Sequence, residues 1–295
     1  MANTLNLSAL PEYIEQNRDQ LFVEATLGAK TLDYVELMLG VKHKEALNYL
    51  SSEIVLAAAQ CGWNPQGSDT IAQRYIEVHL IEVEKEYCAM DMKQYFMNWQ
   101  LNWDAHRDTL PFEEKISQSN VARVQEAVED AIWNGLSGAS VTGFLADAAE
   151  ASATTVEFGS GATTVGKIDA IVAALTPKML KKGVNIFMGY TDYRNYVMES
   201  NGSNCCANRP ILDAASESIT YAGDSRVKLV FVGGLENSGK IVAATPDALV
   251  VGTDVEGAET DIRWFYDEKE QKHCFRILFA LGTQIKFVDE VIVGE

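Results

Sequence analysis

The chain has 295 residues, 47% hydrophobic and 22% charged, a balance that supports a sizeable core and excludes wholesale disorder. Lys and Arg number 24 against 42 Asp and Glu, a net charge of −18, and a field of that sign repels nucleic-acid backbones and anionic membranes. The five cysteines (Cys61, Cys88, Cys205, Cys206 and Cys274) are odd in number and lack a C-x-x-C, so they form no disulfide framework and fit a reducing compartment such as a bacterial cytoplasm.

Residues Met1 to Asn17 show no basic region followed by an apolar run, so no signal peptide is expected. No apolar stretch approaches the ~18 residues that span a bilayer. A soluble protein that stays where it is made is the expectation. Residues 1–50 read as helical segments joined by Gly28 and Gly40, either an arm that packs on something else or an N-terminal helical subdomain. Residues 62–70 form a turn-rich break. Beyond it the period becomes two: Ile76, Val78 and Leu80 alternate with polar residues, and the phase slips at Ile81. That pattern predicts a long strand with a bulge near Leu80 and Ile81, either an extended hairpin arm or an edge strand. Tyr95, Phe96, Trp99, Leu101 and Trp103 form an aromatic cluster suited to core or interface packing.

Pro111-Phe112 opens the best helix, from about Glu113 to Asn134, with Ile116, Val121, Val124, Val128, Ala131 and Ile132 at three-to-four spacing. At ~1.5 Å per residue it spans about 30 Å and could form a spine. Gly-rich loops follow, then helices over Lys167 to Leu175 and from Thr176-Pro177. Val184 to Gly189 reads as a buried strand, and Thr191-Asp192 as the cap of a helix through Met198. Strands are expected at Lys228–Gly233, Lys240–Ala244, Ala248–Thr253, Asp261–Tyr266, Phe275–Leu281 and Gln284–Val293, with turns at Asp267–Lys272 and Gly282-Thr283. Strands and helices mix without sustained βαβα alternation, so the class is α+β.

The motifs that could carry chemistry are few. Gly234 to Lys240 matches G-x-x-x-x-G-K after an apolar strand, the start of a phosphate-binding loop. Ile241 stands where the Ser or Thr belongs, and Ile-Val-Ala-Ala continues as a strand where a helix is needed. Glu236 to Gly239 as a turn between two strands accounts for the same residues. His43, His79, His106 and His273 lack zinc-ligand spacing among themselves or to cysteine. Asp247, Asp254, Asp261 and Asp267 lack the calcium-loop pattern. Lys178, Lys181 and Lys182 are the best basic cluster, read as partners of a helix dipole or, alternatively, as a nucleic-acid contact. No catalytic, cofactor or metal residue is assigned, and no enzyme is expected.

Three stretches carry a family resemblance. They are Ile71-Ala-Gln-Arg-Tyr-Ile-Glu-Val through Glu86-Tyr-Cys88, Pro111-Phe-Glu-Glu with the helix closing on Ala131-Ile-Trp-Asn-Gly135, and Ala244-Thr-Pro-Asp-Ala-Leu-Val-Val-Gly-Thr-Asp254 with Asp261-Ile-Arg-Trp-Phe-Tyr266. Their order and spacing, with Leu5-Asn-Leu-Ser-Ala-Leu and Tyr13-Ile-Glu at the start, resemble the major capsid proteins of tailed bacteriophages, especially Bacteroidetes-infecting and crAss-like relatives. The resemblance implies the tailed-phage capsid fold: an N-terminal arm (1–50), an extended β loop (51–105), a peripheral domain with the spine helix (106–165 and 246–295) and an axial domain (166–245). It also implies copies of the same chain as partners, in pentamers and hexamers of an icosahedral shell around double-stranded DNA. Scaffolding, portal and decoration proteins are further implied partners. No charged N-terminal scaffolding segment is visible, so a separate scaffold is expected. The alternatives are a nucleotide-binding enzyme using Gly234–Lys240, or a tail or decoration protein; the latter are usually more completely β.

Overall fold

The computed structural model describes residues 18–52, 55, 56, 58, 69–88, 112–203, 211–213, 218–221, 223–236, 238–254, 261–270 and 272–295. Helix α1 (Arg18–Leu27) and a 3-10 turn (Lys30–Asp33) lead into strands β1 (Glu36–Leu39), β2 (Lys44–Ser52), β3 (Asp69–Glu77) and β4 (His79–Cys88). Helices α2 (Phe112–Asn134) and α3 (Phe144–Glu150) follow, then β5 (Thr154–Val156), α4 (Thr164–Ala174) and α5 (Pro177–Lys182). The chain continues through β6 (Val184–Met188), α6 (Tyr190–Ser203), β7 (Ile211–Asp213), β8 (Ser218–Thr220), β9 (Val227–Phe231) and β10 (Ile241–Ala244). It ends in β11 (Leu249–Thr253), β12 (Asp261–Asp267), β13 (Lys272–Ile285) and β14 (Val291–Gly294). The aromatic stretch expected at 95–103 lies outside the described residues.

Two sheets and a separate ribbon organise these strands. A seven-stranded sheet runs β5-β14-β10-β6-β9-β8-β7. Its central strands are apolar at nearly every position because both faces are covered. Side-chain alternation sends Val184, Ile186, Leu229, Ile241, Ala243 and Ile292 to one face, against Ile168 and Ile171 of α4 and Tyr193 and Tyr196 of α6. It sends Phe187, Val230, Val242, Val291 and Val293 to the other, where the spine helix α2 lies. One sheet therefore divides two cores. Each fully buried aliphatic or aromatic side chain in them contributes roughly 1.5–3 kcal/mol relative to exposure.

The second sheet is built on the long strand β13. Its early half is paired on both edges, by β12 (Asp267↔Lys272 through Asp261↔Leu278) and by β4 (Cys88↔Lys272 through His79↔Leu281). Its late half pairs with β11, and β11 pairs in parallel with β1. The ribbon is β2 against β3 alone.

Four expectations change. First, Glu36–Leu39 and Lys44–Ser52 are strands, although residues 1–50 were expected to be helical segments. Lys44-Glu-Ala-Leu carries helix-favouring residues, but nine residues of β2 pair with β3 in register from Lys44↔Glu77 to Ser52↔Asp69. Second, the phase slip is a strand break one residue wide at Val78, whose amide donates to the His43 carbonyl at 2.9 Å. Third, Gly282 is no turn. It lies inside β13, where a Cβ would meet the Glu77 carbonyl oxygen at 2.1 Å, so the glycine lets the ribbon's root approach the sheet. Fourth, β9 and β10 do not form a hairpin across Glu236–Gly239, because β6 sits between them, parallel to β9 and antiparallel to β10.

Candidate assembly interface

The ribbon formed by β2 and β3 presents two different faces. Its inner face, at the root, buries Leu47 and Ile76 with Val41, Val78, Val250 and Ala280 in a third small core. Gly252 packs under Ile76 and Val78. Tyr49 meets Phe287 edge-on with ring centroids 5.7 Å apart. Gln284 Nε2 donates to the Tyr75 carbonyl at 2.8 Å. The outer face carries Ile71, 77% exposed, and Tyr75, 46% exposed. Between them Gln73 Nε2 donates to Asn48 Oδ1 (2.9 Å) and Tyr75 Oη donates to Gln73 Oε1 (2.8 Å), and beyond Tyr75 Lys44 pairs with Glu77. Beyond the paired strands Leu56 is 95% exposed. Isolated two-stranded ribbons are marginal in water, and this one leaves apolar side chains uncovered by the described residues of its own chain.

The body behind the ribbon holds three buried carboxyl groups, and two of them fasten it. Glu129 on α2 accepts from the Thr31 amide at 3.1 Å and from the Thr31 hydroxyl, and Trp133 Nε1 donates to Thr31 Oγ1 at 2.8 Å. Burial pushes this carboxyl up, against the hydrogen bonds from Thr31. The N-terminal segment is thereby keyed to the spine helix, with Leu21, Ala25, Ala29 and Leu32 in the same core as Val121, Val124 and Val128.

Glu290, 1% exposed, accepts from Lys182 at 2.8 Å, Lys178 at 3.0 Å and Thr245 Oγ1 at 2.7 Å. Burial pushes its carboxyl up, but Lys182, Thr245 and Lys178 outweigh that and hold it below the usual range. Two lysines of the basic cluster thus neutralise an acid inside their own chain, and Lys181 is the exposed remainder. A group with a lowered folded pKa contributes stability above the ordinary carboxylate range and loses it as pH falls. Lys182→Ala should therefore cost about 1–2 kcal/mol at pH 7, with Lys178 still in place, and the difference should shrink as pH falls below the ordinary carboxylate value of about 4.3. Urea melts of both proteins at pH 7 and pH 3.5 check this.

Asp147 on α3 is 5% exposed, and its Oδ2 has no hydrogen-bond partner. Burial raises its pKa to about 7, opposed by a hydrogen bond from Thr142 and by the charge of Arg74, while Glu150 raises it further.

The Gly234–Lys240 motif does not assemble a phosphate loop. Gly233–Leu235 is a 3-10 turn packed on the spine helix, where a Cβ on Gly234 would meet the Glu129 carbonyl oxygen at 2.5 Å. Ser238 Oγ donates to the Leu235 carbonyl at 2.7 Å, and Lys240 Nζ pairs with Glu295 at 2.7 Å. Strand β10 follows directly. Millimolar ATP or GTP should show no saturable binding by calorimetry, and Lys240→Ala should move stability by less than about 1 kcal/mol, since its ion pair is exposed.

Elsewhere, helix α6 begins at Tyr190, and the Thr191 amide and hydroxyl both donate to the Glu236 carboxylate. The expected Thr191-Asp192 cap is thus supplied from the loop before β10. Thr176 does cap α5, accepting from the Met179 amide at 3.4 Å with Pro177 at the first helical position. His273 and Cys274 are neighbours on β13, and Cys88 and Cys274 are free thiols. His106, Cys61, Cys205 and Cys206 lie outside the described residues. Among the described residues no three His, Cys, Asp or Glu side chains converge as metal ligands, and no helix is long and apolar enough to cross a membrane.

No family model and no curated protein matches this chain. Solved structures do match it over nearly its whole length. The virus-like particle from Pyrococcus furiosus aligns with a TM-score of 0.57 at 11% identity, covering 96% of this chain and 100% of that one. A satellite phage P4 procapsid including the size determination (Sid) protein gives 0.56 at 12% identity, covering 95% and 98%. The capsid of Myoviridae phage XM1 gives 0.53 at 13% identity, covering 90% and 91%. The fold of this chain is therefore the α+β capsid fold of tailed phages and related particles.

Proposed function

We propose that this chain is a major capsid protein that self-assembles into the pentamers and hexamers of an icosahedral shell enclosing double-stranded DNA. The observation that carries the reading is the ribbon. Ordering such a limb alone is costly, and its outer face at Ile71 and Tyr75 gains burial only against another surface. In a capsid fold that surface is a second copy of the chain. The role is structural, in the virion, with assembly in the host bacterial cytoplasm. A separate scaffold, a portal and decoration proteins are proposed partners, and packaged DNA is enclosed without sequence-specific contact. The affinity to Bacteroidetes-infecting and crAss-like phages rests on the sequence stretches named above.

The proposed division keeps four parts. The two cores support an axial part around residues 166–245 and a peripheral part around the spine helix and 246–295. The β loop is drawn from Lys44 to Glu77, earlier than 51–105, because β2 and β3 pair only with each other while β4 belongs to the body sheet. Of the proposed arm, residues 18–39 pack on the body through α1 and β1.

Negative-stain microscopy of the purified protein, with a candidate scaffold and across salt, tests the reading. Closed shells or rings are expected. Salt should promote them by screening the charge of −18. A protein that stays monomeric under all these conditions is not a shell former, and tubes or trimers would point to a tail or decoration role.

A further inference from the structure

The first half of the spine helix turns two polar side chains into the molecule. Ser117 and Asn120 stand three apart on one face of α2 and are each 3% exposed. Opposite them lies the inner face of the second sheet, where Lys85 and Tyr87 of β4, His273 and Phe275 of β13 and Trp264 of β12 are registered side by side. Tyr87 Oη (2.5 Å) and Lys85 Nζ (3.1 Å) both donate to Asn120 Oδ1. An ammonium carries no acceptor, so Lys85 fixes which way round the Asn120 carboxamide lies: its oxygen faces the cation and Nδ2 points away from it. Trp264, 6% exposed, stacks on Tyr87 with ring centroids 5.4 Å apart. Among the described residues, Ser117 Oγ, Asn120 Nδ2 and Trp264 Nε1 are buried without a hydrogen-bond partner. Buried polar atoms are nearly always partnered, and here three of them, from the helix and the sheet, are left over around one tyrosine.

The chemistry left over is one-sided. Asn120 offers two N–H groups, Trp264 one N–H and Ser117 one O–H, while the Ser117 oxygen is the single acceptor among them. A water molecule brings two hydrogens of its own, which that one acceptor cannot take up together. An oxyanion brings several acceptor oxygens and no such surplus, and the Lys85 ammonium beside Asn120 supplies the opposite charge. We propose that Ser117, Asn120, Trp264 and Lys85 form a binding site for an oxyanion, a phosphate or carboxylate group, between the spine helix and the β4–β13–β12 layer. The net charge of −18 repels anions held only by the general field, so occupancy depends on these donors and not on surface charge.

The site rests on side-chain chemistry and not on the shell reading, so its test uses the full-length subunit before assembly. The indole N–H signals of protein labelled with nitrogen-15 at tryptophan are followed by NMR at pH 7 and constant ionic strength, while sodium phosphate or sodium acetate replaces sodium chloride. Trp264→Phe identifies the Trp264 signal. That signal should move saturably, with half-saturation below roughly 10 mM. The signal of Trp133, whose Nε1 already donates to Thr31, should stay still. Saturation by phosphate assigns the site to a phosphate-bearing ligand, and saturation by acetate alone to a carboxylate-bearing one. Asn120→Leu should weaken binding about tenfold or more. Lys85→Gln should weaken it about threefold, and Lys85→Arg should restore it. Lys85 is exposed, so its variants keep the test informative if Asn120→Leu folds poorly. A Trp264 signal that moves with neither anion overturns the site. So does a shift that rises without saturation, or one that is unchanged in Asn120→Leu and Lys85→Gln.

Discussion

Ile71→Asp combined with Tyr75→Gln should abolish particle formation while leaving a folded subunit. Both side chains are exposed in the single chain, so the substitutions should shift subunit stability by no more than about 1 kcal/mol. On the proposed function the same positions are buried in the shell. An aspartate then brings a desolvated charge without a partner, and interfaces depend on a few such central side chains. Assembly followed by light scattering should need at least roughly a hundredfold more protein, or fail outright. Ile76→Asp supplies the contrast. Ile76 is fully buried in the root, so that change should unfold the root, and circular dichroism would separate the two failures.

Trp133→Ala should be the most damaging single change to the body. Trp133 is fully buried at the end of the spine helix, with Phe144 5.5 Å and Phe187 5.1 Å away between ring centroids. Its Nε1 also donates to the Thr31 hydroxyl that serves Glu129. Truncation leaves a large cavity and strips a donor from a buried polar group. The expected cost is about 3–5 kcal/mol, which lowers the melting temperature by roughly 10 °C in a chain of this size. The contact spans α2, α3 and β6, so the loss should appear in both halves of the molecule. Calorimetry and hydrogen exchange of α1 check it. A drop below about 1 kcal/mol would mean that this contact does not organise the core.

Much of this architecture was legible in the sequence, and the parts that were not share a cause. The spine helix follows from apolar spacing alone, because its period fixes the buried face without reference to other elements. Val184–Met188 reads as a buried strand for the same kind of reason: a continuous apolar run needs cover on both sides, and all five residues are buried. Thr176-Pro177 is a local signal and works as one. The misread segments depend on distant partners. Lys44–Ser52 becomes a strand only because Asp69–Glu77 pairs with it. Glu236–Gly239 turns the chain, but nothing in it says that β6 will lie between the strands it joins.

Glu129, Asp147 and Glu290 were missed as buried acids, since each sits in a mixed stretch that looks like an ordinary solvated surface. Two weak signals existed. Glu290 directly precedes the apolar run Val291-Ile-Val, and Glu129 falls beside Val128 on the helix's apolar stripe. The family resemblance supplied what periodicity could not, namely the order in which these elements combine. The capsid fold then appeared in structures of at most 13% identity among those compared above, a level at which packing is retained after most individual residues have changed.

On the proposed function, the ribbon's outer face is completed by another copy of the chain. A reconstruction of the assembled particle by electron cryomicroscopy tests it most directly. A closed shell is expected, with Ile71 and Tyr75 of each subunit buried against a neighbouring subunit. A shell in which that face stands free in solvent, or a purified chain that yields no ordered assembly at all, would contradict it.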